Sequence, residues 1–359
     1  MRFLRSLLLL LMLAFLALSP GWLVKNLARN PYLEWHEKTP PSWQGRITLW
    51  HIASFRTYQG KVTEHLKKRA YAYCKQHYNV HIDVTGLTVE QYLERTARGE
   101  FPDAYSFQTG LLYREQLRNF TPDTGRLLPN VPPAQAEGRV YAVPYLMSGY
   151  FLAGNTQLMA NRGVSLPKEA DPALLQELTD ACGDPVLSMP PVLAARAGLV
   201  CSLLPEEDFL SGKGMLALLD ARKLGDLNRA AGQNMALETL PWPAYTDEVF
   251  YIGPAKTADD GQAAALADFA DFLLSDGEQA RLTALGAMPV TKAPPDTAFS
   301  EPLLSAYYQS LTETVVPEPF SYQRNKEALH AEAAAAVAGD AFAASSFFER
   351  MQVVERGVF

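Results

Sequence analysis

The sequence predicts an α/β protein built from parallel sheets flanked by helices. Three observations carry this. The first hundred residues read strand, helix, strand, helix at βαβ spacing. The same alternation resumes after residue 171. At 359 residues the chain is long enough for two domains, each able to bury its own core.

Ile47-Thr-Leu-Trp-His-Ile52 alternates apolar and polar positions and suits a strand. Residues 59–77 place Val62, Leu66, Ala70, Tyr73 and Cys74 on one helical face. Val80 to Val84 alternates again, and Val89 to Arg98 is a second helix. Pro102 to Phe107 reads as a short strand entering a loop. Tyr141 to Tyr145 is extended because Pro144 drives Val143 to the β region. Tyr150 to Gly154 is an apolar strand.

Farther on, Asp171-Pro172 is an N-cap followed by proline at the first helical position, opening a helix to about Cys182. Val186 to Met189 reads as a strand and Pro191 to Leu203 as a helix. Residues 212–230, rich in Ala and Leu, read as helical. Met235 to Leu240 is a strand ended by Pro241-Trp242-Pro243, and Val249 to Ile252 another, stopped by Gly253-Pro254. Helices follow at Gln262–Leu274, at Glu278–Leu285 before Gly286, and at Lys326–Val337.

Hydrophobic residues make up 48% of the chain and charged residues 20%, which excludes disordered and collagen-like classes. A net charge of −7 without a long basic run argues against a nucleic-acid partner. The densest basic cluster, Lys67-Lys68-Arg69, reads as a solvated helix face. Cys74, Cys182 and Cys201 are too few for a disulfide framework and lack metal-ligand spacing. They read as buried thiols, with a Cys182–Cys201 bond left open. His77 and His81 are four apart, but Tyr78-Asn79 between them breaks the helix. No phosphate loop, nucleophile elbow or zinc-protease motif is present, so no metal or cofactor is expected. The acidic clusters Glu206-Glu207-Asp208 and Asp259-Asp260 lie next to loop signals and read as solvated surface.

At the N-terminus, Arg2 and Arg5 precede an apolar run from Leu7 to Leu18, with no charge until Lys25. This is an export signal. Ala17-Leu18-Ser19 is the nearest cleavage pattern, and Pro20 behind it hinders the peptidase. No cysteine follows the run, so a lipoprotein signal is absent. At about 1.5 Å per residue, Ser6 to Val24 crosses most of a ~30 Å core, with Trp22 at the interface. Residues 1–24 are therefore expected to be an uncleaved anchor, with a cleaved signal and a periplasmic body as the alternative. Either way the body is exported. Residues 25–45, with Pro31, Pro40 and Pro41, read as a linker.

Five segments in order resemble the extracellular solute-binding proteins of ABC importers, of the maltose-binding type. They are Ile47 to His51 as the opening strand, Gly99-Glu-Phe-Pro-Asp103-Ala-Tyr105, and Val140-Tyr-Ala-Val-Pro-Tyr145 with Phe151 to Asn155 behind it. Phe209-Leu-Ser-Gly-Lys213-Gly-Met215 is the fourth. The fifth is Ala264 to Lys292, with Phe269, Phe272 to Ser275, Gln279 and Gly286-Ala-Met-Pro289-Val290. The resemblance implies two lobes, each a mainly parallel sheet flanked by helices, joined by hinge crossovers. Lobe one would be 46–146 plus 253–299, and lobe two 147–252 plus 300–359. The middle insert, about 100 residues, is shorter than in oligosaccharide binders of the family and argues against a large sugar.

In such a fold the solute sits between the lobes, and closure about Val143–Tyr145 and Tyr251–Gly253 buries it. Ligand residues are expected at strand ends: Trp50, His51, Phe55, Tyr105, Phe107, Gln108, Tyr145, Met189, Trp242, Tyr245 and Asp247. Aromatic faces would stack on a sugar, and Asp247 or Gln108 would bond hydroxyls or amines. The reading implied is a monomeric, non-enzymatic protein that delivers a small carbohydrate-like solute to permease subunits. An anchored ligand-presenting or sensory protein of the same fold is the alternative, and an extracellular enzyme is the third class.

Overall fold

The computed structural model describes residues 43–54, 57–168, 171–182, 187–230, 235–292, 299 and 302–356. The N-terminal segment, the linker before Trp43 and Phe55 lie outside these residues. Among the described residues no helix is long and apolar enough to cross a membrane.

Among the described residues, ten strands form two sheets. The first comprises β1 (Gly45–Ile52), β2 (Val80–Leu87), β3 (Ala104–Gln108), β4 (Ala134–Ala136), β5 (Arg139–Met147) and β10 (Val249–Pro254), in the order β2-β1-β3-β10-β5-β4. The second comprises β6 (Tyr150–Asn155), β7 (Leu187–Ser188), β8 (Leu216–Asp220) and β9 (Leu237–Trp242), in the order β7-β8-β6-β9. The expected α/β architecture is present, with helices α1 (Val62–Gln76) and α2 (Val89–Ala97) linking the parallel strands β1, β2 and β3.

The sheets are mixed, and the reversed strands have a topological cause. Four strands of the first sheet point one way, with β10 and the edge strand β4 opposed. Three strands of the second sheet share a direction, with β6 opposed. Both β10 and β6 are strands that arrive from the other sheet. Chain leaving along β5 enters β6 after only Ser148-Gly149, and chain returning from β9 enters β10 beside β5. A strand leading out and one leading back must be antiparallel where they pair.

The second sheet is buried on both faces. Phe151, Ala153, Ala217 and Leu219 join the core under the first sheet, together with Tyr307 of α10 (Pro302–Gln309). The alternate residues Leu152, Leu216 and Leu218 join a second core with α11 (Pro319–Val337) and α12 (Ala341–Arg356). This double burial explains a departure from the sequence reading. Residues 212–230 are not one helix, because Leu216–Asp220 is the strand β8 and only Ala221–Ala230 is helical, as α7. A strand covered on both sides reads as a continuous apolar run, which periodicity cannot tell from a helix.

Three further differences have local causes. Of the expected helix Pro191–Leu203 only Pro191–Arg196 (α5) forms, because Gly198 turns left-handed at φ 72°. Pro241 and Trp242 lie inside β9 rather than ending it, and β9 is an edge strand, where a missing N–H is tolerated. Gly253-Pro254 likewise completes β10 instead of stopping it. A side chain at Gly253 would meet the Tyr141 carbonyl at 2.2 Å, so glycine lets β10 approach β5.

The acidic clusters, solvated as expected, stand at helix starts. Glu206, Glu207 and Asp208 occupy the first turn of α6 (Glu206–Leu210), and Asp259 caps α8 (Asp260–Leu273) by accepting from Gln262 N–H at 2.7 Å. Arg69 is not on a solvated face. It forms a largely buried ion pair at 2.9 Å with Glu278 of α9 (Asp276–Ala280). Cys74 and Cys201 are half-buried free thiols rather than buried ones, and the Cys182 side chain lies outside the described residues.

Candidate functional site

The two crossing segments run side by side where the sheets meet. Ser148 N–H donates to the Glu248 carbonyl at 2.8 Å, and Thr246 Oγ1 donates to the Ser148 carbonyl at 3.0 Å. The β5–β10 ladder shifts register between Phe250 and Tyr251, opposite Pro144, which has no N–H to offer it. This bulge falls on the expected hinge positions.

Asp247, on the returning segment, gathers the polar groups of this junction. Its Oδ1 accepts from the Tyr150 hydroxyl at 2.7 Å and its Oδ2 from the Tyr322 hydroxyl at 2.9 Å. Tyr150 opens β6, and Tyr322 lies in the first turns of α11. Gln108, the last residue of β3, donates from Nε2 to the Asp247 carbonyl at 3.5 Å. His330, two helical turns beyond Tyr322, brings Nε2 within 3.4 Å of the same hydroxyl. Gly110, left-handed at φ 72°, seats the loop after β3 against α11, because a side chain there would meet the Tyr322 ring at 2.5 Å. Lys326 then reaches the Gly110 carbonyl at 3.4 Å.

The electrostatics keep the tyrosines as donors. Burial first, and then the Asp247 charge, push the hydroxyls of Tyr150, Tyr245 and Tyr322 well above their ordinary values. His330 is held below its usual range by burial and by Lys326, with Asp247 acting in the opposite sense. The junction is thus a carboxylate between phenol donors, where groups from both sheets and α11 meet. Such a site can hold a polar solute by hydrogen bonds and ring faces.

The expected site residues divide. Gln108, Tyr245 and Asp247 are brought together here. Met189 and Trp242 are buried in the second core with Tyr245 and Tyr322, and Trp242 pairs with Tyr150 across the ladder. Trp50, Phe107 and Tyr145 lie in the first sheet's core, and His51 is buried against Phe250 beside them. Phe107 packs against Tyr251, and Trp50 is covered by Arg95. Tyr105 floors a separate cavity. Phe55 lies outside the described residues. Tyr150, Tyr322 and His330 were not foreseen. The Glu318-Pro319 helix start places Tyr322 and His330 on one face of α11, but it marks a helix and not a site.

A serine–histidine pair lies within the first sheet. His51 Nδ1 is 2.9 Å from Ser106 Oγ, which is 2.8 Å from the Tyr145 hydroxyl. All three are buried, and burial holds His51 down at about 3, so the ring is neutral. With no opening to either group, the chain of bonds ties β1, β3 and β5 together. Among the described residues no three His, Cys, Asp or Glu side chains are grouped to hold a metal.

No protein-family model and no curated protein matches the sequence. Solved structures do. The cyclic alpha-maltosyl-1,6-maltose binding protein from Arthrobacter globiformis matches with a TM-score of 0.63 at 16% identity, over 88% of this chain and 99% of its own. The sugar-binding protein MalE from Xanthomonas citri matches at 0.61 and 16% identity, over 87% and 97%. The galacto-N-biose-/lacto-N-biose I-binding protein of the ABC transporter from Bifidobacterium longum matches at 0.56 and 13% identity, over 86% and 96%. At these identities the likeness is one of architecture, and the chain has the two-sheet, crossing-strand fold of solute-binding proteins.

Proposed function

We propose that the protein binds a small extracellular solute, carbohydrate-like, between two lobes and delivers it to an ABC importer. The lobes proposed are residues 46–146 plus 253–299 and 147–252 plus 300–359. The observation that carries the reading is the Asp247 junction, where both crossing segments, β3 and α11 converge polar and aromatic groups on one place. The fold likeness supports the solute class, since the neighbours are named for binding a cyclic maltosyl-maltose, sugar, and galacto-N-biose or lacto-N-biose I.

Binding in this reading is a population shift. The solute contacts both lobes only when they close, and that difference in affinity drives closure. Gln108, Tyr150, Tyr245, Asp247 and Tyr322 are the proposed contacts, with Trp242 bracing Tyr150. No bond is made or broken, so the protein is a binder and not an enzyme. The exported body is held at the extracytoplasmic face of the cell membrane by residues 1–24, or released into the periplasm if they are cleaved.

A thermal-shift screen of the full chain against sugars, polyamines, amino acids, metals and phosphate esters tests this. A ligand at about 100 times its Kd adds about 2.7 kcal/mol of stability, a shift of several degrees for a chain of this size. A shift confined to sugars supports the reading. A flat response across the panel overturns it.

A further inference from the structure

A cavity of about 300 Å³ lies at the end of the first sheet away from the Asp247 junction. It opens where β3 begins and β10 ends, and Phe101, Tyr105, Glu115, Gln116, Lys256 and Thr257 line it. The strand ends that face the Asp247 junction are the opposite ones, so the two places are distinct.

Its walls are specific. The Phe101 ring is 55% exposed at the rim, an apolar surface left in water. Tyr105 forms the buried floor, held edge-on by Trp50 and Tyr92 at 6.4 Å and 6.2 Å. Most polar groups are already engaged. Gln116 donates to the Tyr92 hydroxyl at 2.6 Å and accepts from Tyr113 N–H at 2.9 Å. Thr257 donates to the Pro102 carbonyl at 3.2 Å. Glu115 lies between Arg114 at 3.7 Å and Arg324 at 3.8 Å, so its charge is offset. Lys256 differs: its backbone N–H is bonded to Gln116, but among the described residues no carboxylate lies within 4.0 Å of its ammonium.

We propose that this cavity is a second binding site, for a small aromatic carboxylate. The ring would lie against Phe101 and Tyr105, where aromatic pairs prefer edge-to-face or offset contact. The carboxylate would meet the Lys256 ammonium at the rim, forming the charge-assisted bond that the protein itself leaves unmade. The volume suits one ring with its acid group. The assignment is independent of the solute-delivery reading, because no residue is shared with the Asp247 junction.

Calorimetric titration of the full chain in detergent micelles, with benzoate as the probe and benzylamine as its charge-reversed counterpart, tests the site. Lys256→Ala and Phe101→Ala alter exposed rim residues, and Lys67→Ala on α1 controls for general loss of positive charge. Benzoate is expected to bind the wild type and Lys67→Ala equally, and at least about tenfold more weakly to the other two variants. Benzylamine is expected not to bind. Equal benzoate affinity in all four proteins, equal binding of benzylamine, or no benzoate binding by about 10 mM would each overturn the proposal.

Discussion

Asp247 shows how much one carboxylate can hold. Both its oxygens accept phenol hydrogens, from a strand and from a helix distant in sequence. Asp247→Asn keeps the shape but turns one acceptor into a donor facing a hydroxyl. We expect a loss of about 1–3 kcal/mol in chemical denaturation, together with weakened binding of whichever solute the screen identifies. A denaturation midpoint unchanged from wild type would mean that the two tyrosine bonds contribute nothing to stability.

His51 makes a pH prediction. Its ordinary value is 6.5 and burial holds it at about 3. The unfolded chain therefore takes up this proton first as pH falls. The contribution is complete above about 6.5 and is lost progressively from there down to about 3. His65 and His77, each held down to about 4 chiefly by burial, act in the same sense. The stability lost through His51 alone reaches about 3 kcal/mol by pH 4. Denaturant melts at pH 7 and pH 4 should show the fall, and His51→Phe should be less sensitive to pH. An identical pH slope in that variant would rule His51 out as the cause.

Among the elements, β8 and β9 make opposite uses of the ladder. β8 lies between β7 and β6, so every N–H facing a neighbour is needed, and both faces of the strand are buried. Leu218→Pro should cost about 3 kcal/mol or more and abolish folding at moderate temperature. Pro241 sits on the edge strand, and Pro241→Ala should change stability by less than about 1 kcal/mol. Thermal melts of the pair separate the two positions. A tolerated proline at residue 218 would show that β8 is not a ladder strand.

The whole molecule turns on its crossing. Gly149 occupies the two-residue link from β5 to β6, and a side chain there would come within 2.2 Å of the Tyr307 ring. Gly149→Ala forces α10 away from the second sheet and should destabilise the protein by about 1–3 kcal/mol. Under the delivery reading, small-angle scattering should show a smaller radius of gyration when the solute is present. A radius independent of a solute that demonstrably binds would mean the lobes do not close on it.

Much of the fold was legible in local patterns. Alternation set β1 and β2, Asp171-Pro172 set the start of α4 (Pro172–Cys182), and the order of five short motifs pointed to the two-sheet architecture. Such features are read locally, because a cap, a proline or a period-2 strand is decided by neighbours in sequence. The site was legible only where a chain break announced it, as for Gln108, Tyr245 and Asp247. Tyr150 and Tyr322 carry no local mark of function, since an aromatic residue in an apolar segment looks the same whether it fills a core or faces a ligand.

By itself, then, the sequence determined most of the succession of strands and helices, the Asp171-Pro172 start of α4 and the extended backbone around Pro144. Only the tertiary structure decided that Leu216–Asp220 is a strand, that Trp50, His51 and Tyr145 serve the core, and that Asp247 is held by two tyrosines. The physical reason is burial. Whether an apolar run extends or coils, and whether a ring packs or binds, depends on what covers it on both sides.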